Sequence, residues 1–109
     1  MFVKKNEIGY RTLRPGVALK SLVSGEKTHL TEFRLTKGYE IVRHSHPHEQ
    51  TGYLVSGRLR FEIAGESVEA EPGDAWNISG GIDHGVEILE DSLVLEVFSP
   101  VREEYLPSS

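Results

Sequence analysis

The sequence predicts an all-β fold, a single small barrel or sandwich of the jelly-roll kind, and three observations point there. Eleven glycines and five prolines punctuate short runs rich in Val, Ile, Leu, Phe and Tyr, the pattern of many short strands joined by turns. Residues 58–63 alternate cleanly: Leu59, Phe61 and Ile63 fall on one face and Arg58, Arg60 and Glu62 on the other. No stretch long enough for a helix of ordinary length carries a 3.6-residue apolar period.

Taken in order, the candidate strands are 17–23, 28–35, 39–42, 52–55, 58–63, 67–69, 75–78, 85–88 and 93–98. Ser56-Gly57 and Ala64-Gly65-Glu66 read as hairpin turns flanking the alternating run. Pro72-Gly73-Asp74 reads as another tight turn. One short helical piece is expected at 101–106, where Ser99-Pro100 can open a turn. Pro107-Ser108-Ser109 reads as a frayed tail. In the last strand both faces are largely apolar: Leu93, Leu95 and Val97 on one, Val94 and Phe98 beside Glu96 on the other. Both faces should therefore be covered, one by the barrel interior and the other by the N-terminal segment or a second subunit, which leads us to expect a homodimer.

With 109 residues the chain suits one domain. It has no cysteine, so disulfides and thiolate metal sites are excluded. The net charge of −5 is spread without a basic run, which argues against nucleic acid. No apolar run approaches the roughly 20 residues of a membrane helix, and residues 1–7 lack the apolar stretch of a signal peptide. A cytoplasmic location is the expectation.

Chemistry concentrates in the histidines. His44 and His46 lie two apart, so an extended strand turns both imidazoles to one side. A third ligand from the next turn and His84 from a distant strand would complete a metal site, and imidazole suits Zn, Fe, Ni, Mn and Cu. His48, after Pro47, reads as a rim residue, His29 as structural, and Trp76 as core packing with pocket lining as the other option.

Gly38-x5-His44-x-His46-x3-Gln50-x6-Gly57 resembles the first motif of the cupin superfamily, and Gly73-x5-Ser79-x-Gly81-x2-His84 resembles the second. The resemblance implies a cupin jelly roll, a double-stranded β-helix barrel, with one domain over 1–109, a barrel over about 17–99 and a short C-terminal turn or helix at 100–106. It implies one divalent ion, Zn, Ni, Fe or Mn, on His44, His46, Gln50 and His84. The cupin pattern usually carries Glu at the position of Gln50, Pro at that of Ser79 and Asn at that of Ile88. Glu49 is the rival third ligand, one residue early; a one-residue shift turns a strand side chain outward unless a bulge intervenes. Three histidines and a neutral amide would leave the full charge on the metal and strengthen it as a Lewis acid.

The run His44-Ser-His46-Pro-His48-Glu-Gln50 and the ending from Glu96 to Leu106 resemble, more narrowly, the small cupins of pectin and alginate breakdown of the KdgF type. That resemblance implies a non-redox enzyme that linearises 4,5-unsaturated uronates, with a small acidic sugar as substrate. It maps the family's Asp, Phe and Arg onto Glu96, Phe98 and Arg102. Glu96 would be the general acid/base, Phe98 an apolar wall and Arg102 the carboxylate anchor. Plainer roles stand beside these: Glu96 paired only with an arginine, and Arg102 on the surface of the last turn. At the level of function the alternatives are a metal-dependent oxygenase of the cupin type and a small-molecule-binding cupin without catalysis.

Overall fold

Period-two patterning builds eight strands in the computed structural model, which describes residues 1–107. They are β1 (Arg11–Arg14), β2 (Val17–Ser24), β3 (His29–Leu35), β4 (Glu40–His44), β5 (Glu49–Ile63), β6 (Glu66–Ala70), β7 (Ala75–Ile78) and β8 (His84–Ser99). A 3-10 turn, Glu103–Tyr105, follows within the expected 101–106 piece. Ser108 and Ser109 of the expected tail lie outside the described residues.

All pairings are antiparallel. The path runs β1-β2-β3-β8-β5-β6, with β4 added to β8 and β7 to β5. Two long strands make this a closed jelly roll rather than a flat sheet. The N-terminal half of β8 pairs with β4 and the C-terminal half of β5. Its C-terminal half pairs with β3 and the N-terminal half of β5. β5 and β8 thus cross from one layer to the other.

Here two expectations are corrected. Residues 52–55 and 58–63 are one strand, as are 85–88 and 93–98, and Ser56-Gly57 is no hairpin turn. It is the corner of β5, where the register against β8 shifts. The burial parity shows why: Gln50 and Leu54 point inward before the corner, Leu59 and Phe61 after it. The parity switch is the mark of a bulge. Gly57 has a φ of 101° and its Cα faces Ser92, where a methyl group would overlap the Ser92 hydroxyl. A glycine followed by a change of parity looks, in sequence, like the end of one strand and the start of another.

The sheet also reaches beyond the expected 17–99 through β1, whose four residues carry too short a pattern to read. The Ala64-Gly65 turn joins β5 to β6 as expected, with positive φ at both residues.

Inside, Leu19, Phe33, Leu54, Leu59, Phe61, Ile88, Val94 and Phe98 form the core. Arg58 and Arg60 face out and pair with Glu69, Glu71 and Glu87. On β8 the inward set Val94, Glu96 and Phe98 is buried, while Leu93, Leu95 and Val97 are half-buried on the outer face. The N-terminal segment shares grooves with part of that face, held by Lys20 Nζ donating to the Asn6 carbonyl at 2.7 Å and by an Arg34–Glu7 ion pair at 3.1 Å. No helix among the described residues is long and apolar enough to cross a membrane.

Candidate metal centre and cavity

The strand register gathers the histidines at one end of the barrel. His44 ends β4 and pairs directly with His84, the first residue of β8. His46 lies in the β4–β5 loop, tied to the β7–β8 loop by the Gly81 N–H donating to the His46 carbonyl at 2.8 Å. Gly80 lets the two loops approach: a side chain there would overlap the Pro47 carbonyl. The ring centroids of His44 and His84 are 4.5 Å apart, those of His46 and His84 5.0 Å, and those of His44 and His46 5.6 Å.

Ligand atoms of the three imidazoles lie within 4.8 Å of one another, so the triad can hold a metal ion. The hydrogen bonds of His44 and His84 fit that role. His44 Nδ1 donates to the Val42 carbonyl at 2.9 Å, and His84 Nδ1 to the Ile82 carbonyl at 2.8 Å. A carbonyl can only accept, so both rings carry the proton on Nδ1 and present a bare Nε2 lone pair, as metal-ligating imidazoles do. Burial holds His84 below the usual histidine range and, with the positive charge of Arg102, lowers His46 to about 4. Neutral rings are the form a metal needs.

Gln50 is the second residue of β5 and points inward, 6% exposed. Its Oε1 lies 2.7 Å from His46 Nε2, and its Nε2 donates to Glu96 Oε1 at 3.3 Å. Glu49 points the other way, exposed, and accepts from Asn77 Nδ2 at 2.9 Å. His48 is half-buried beside His46, with its ring centroid 5.7 Å away. His29 lies in the interior, 0% exposed, bonded to Ser21 Oγ at 2.8 Å.

A cavity opens beside this cluster, lined by Gln50, Trp76, His84, Glu96, Phe98 and Arg102 among others. Glu96 is its buried carboxyl. Burial pushes it up to about 8, against hydrogen bonds from Trp76 and Gln50 and the positive charge of Arg102. Both donors reach Oε1, leaving Oε2 buried with no partner. Glu96 and Arg102 form no ion pair. The Arg102 guanidinium lies over the rings of Phe98, 5.1 Å, and Tyr105, 4.2 Å, and its Nε donates to Glu104 at 2.6 Å. Its side chain is only 12% exposed, which disfavours the plainer alternative of a surface arginine.

The triad, Gln50, Glu96, Phe98 and Arg102 are therefore brought together around one space. Sequence reading missed one contributor and gave the lesser weight to the role of another. Tyr105 closes the wall from the 3-10 turn, and a lone Tyr in a short C-terminal piece carries no signal. Trp76 was read chiefly as core, but it lines the cavity and donates to Glu96 at 3.3 Å.

Residues 31–99 match the family model for the Cupin domain. The "Pectin degradation protein KdgF" of Dickeya dadantii is 28% identical over 103 residues, 93% of this chain and 94% of that protein. The solved structure of KdgF from Halomonas sp. has a TM-score of 0.90 at 31% identity, over 97% of this chain and 100% of the other. An RmlC-like cupin from Shewanella frigidimarina superposes with a TM-score of 0.85 at 24% identity, over 89% of this chain and 87% of the other, a likeness of fold alone.

Proposed function

The chain belongs to the cupin domain family, and from that premise we propose that it is a metal-dependent, non-redox enzyme that opens the ring of 4,5-unsaturated uronates. One observation carries this reading above the others: a buried carboxyl, Glu96, with one unpartnered oxygen, lines a cavity together with His44 and His84 of the triad and a shielded arginine. The similarity to two KdgF proteins over nearly the whole chain supports it.

His44, His46, His84 and Gln50 would hold one divalent ion; when bound, it supplies a Lewis acid for a substrate oxygen. The remaining chemistry belongs to the chain. Arg102 receives the substrate carboxylate through its Nη groups, its Nε being engaged by Glu104. Phe98 gives the sugar face an apolar wall. In the cyclic substrate the ring oxygen joins C1 to the unsaturated C5. Opening removes the proton of the C1 hydroxyl and breaks the bond from C1 to the ring oxygen. It makes C5 a ketone and adds a proton at C4, so no atom is gained or lost. One carboxyl that both takes and gives a proton serves both transfers, and burial holds Glu96 near the middle of the useful range.

The half-buried outer face of β8, Leu93, Leu95 and Val97, with the exposed Tyr53 and Val55 of β5, is the surface we assign to a homodimer. Light scattering tests it, and a monomer at working concentration removes it. For the function itself, incubation with unsaturated galacturonate followed at the alkene absorbance is the test. Acceleration over buffer is expected; no acceleration by metal-loaded protein overturns the reading.

A further inference from the structure

Three strands meet at one level of the barrel wall. Gly52 on β5 pairs with Trp76 on β7 at one side and with Glu96 on β8 at the other. Trp76 and Glu96 are thus two strands apart, with β5 between them. Neighbouring strands lie about 4.8 Å apart, so the two backbones are separated by roughly 10 Å. Nevertheless the Trp76 indole N–H reaches Glu96 Oε1 at 3.3 Å.

The bridge exists because position 52 has no side chain. A methyl group on Gly52 would overlap the indole, at Nε1 and the adjoining ring carbons. The indole therefore lies across the bare backbone of β5 in the place a side chain would occupy. The indole also packs against Phe61, with centroids 4.6 Å apart and ring planes inclined at 50°.

The consequence concerns which oxygen of Glu96 is free. Gln50 and Trp76 both donate to Oε1. Oε2 is buried and unpartnered, and Glu96 is part of the cavity wall. An indole N–H only donates, so it cannot serve as a proton acceptor in turnover.

We propose that Trp76 is a positioning residue for Glu96, reaching across Gly52 to anchor Oε1 and so present Oε2 to the substrate. Its effect on turnover rests on the proposed function; the anchoring itself does not.

The chain has one tryptophan, so a nitrogen-15 correlation spectrum of the zinc-loaded protein shows a single indole N–H peak, without need of assignment. In the native protein this proton is expected to exchange slowly with solvent. In Glu96→Ala it should exchange at least about tenfold faster, with the rest of the spectrum showing a folded chain. Equal exchange rates in the two proteins overturn the proposal. Should Glu96→Ala not fold, Glu96→Gln supplies the second reading: the indole peak should move on exchanging carboxyl for amide, and an unmoved peak overturns the proposal.

Trp76→Phe keeps a ring against Phe61 and removes only the N–H side of the indole. With unsaturated galacturonate, kcat is expected to fall roughly 10–100-fold while KM stays within threefold and metal content is unchanged. Gly52→Ala, which displaces the indole without removing it, should give the same split. Unchanged kcat in Trp76→Phe overturns the proposal. Native protein that leaves the uronate untouched defeats the functional reading instead, and indole exchange still decides the anchoring.

Discussion

Glu96 sets the direction in which Gln50 faces the histidines. Because Glu96 Oε1 takes the amide N–H of Gln50 at 3.3 Å, the amide oxygen is left pointing to His46 Nε2 at 2.7 Å. The proposed acid/base and the proposed neutral ligand are therefore one connected unit.

Replacing Gln50 by Glu tests that unit. A carboxylate adds a ligand charge and loses the N–H that holds Glu96. Metal affinity is expected to rise roughly tenfold or more, as ligand charge count dictates. Activity on the uronate should fall, since a less positive metal is a weaker Lewis acid. Metal titration alongside initial rates checks both, and weaker metal binding would contradict the assignment of Gln50 as a ligand.

The triad is tested by His84→Ala. The variant should lose its stoichiometric metal by elemental analysis, and the thermal stabilisation that added metal gives the native protein should vanish. Retention of one tightly held ion would place the site elsewhere.

Arg102→Ala separates binding from chemistry. Removing a charge-assisted hydrogen bond is worth about 1.5–3 kcal/mol, so KM should rise roughly 10–100-fold with a smaller change in kcat. A fall confined to kcat would deny Arg102 the carboxylate.

The metal-free protein should show a stability maximum near pH 6.5. Burial lowers His46, His84 and His29, so below their usual range the unfolded chain binds protons that the folded one does not, and stability falls with acid. Glu96 acts on the other side. Its folded value near 8 keeps a proton that the unfolded chain releases near 4.5, so its contribution is lost progressively between about 4.5 and 8 and the decline levels off above that. Thermal midpoints across pH check this, and in Glu96→Gln the decline between the maximum and about pH 8 should shrink.

Much of this was legible in the chain because it depends on spacing. His44, His46 and His84 carry the cupin pattern, and Leu59, Phe61 and Ile63 show their face by alternation alone. What escaped depends on relations across strands. The corner at Gly57 read as a turn because a bulge and a turn share a glycine and a break in parity. Trp76 read as core because its reach to Glu96 is set by Gly52, whose role appears only when three strands align.

Turnover in the proposed function depends on a metal-loaded cavity in which Glu96 moves the proton. The most direct measurement is the initial rate of alkene loss from unsaturated galacturonate, for native protein, metal-stripped protein and metal-loaded Glu96→Gln. Acceleration by the native protein is expected, with its loss on stripping and recovery on reloading, and a decrease of roughly 10²–10⁴-fold in Glu96→Gln. A Glu96→Gln rate equal to that of the native protein would contradict it.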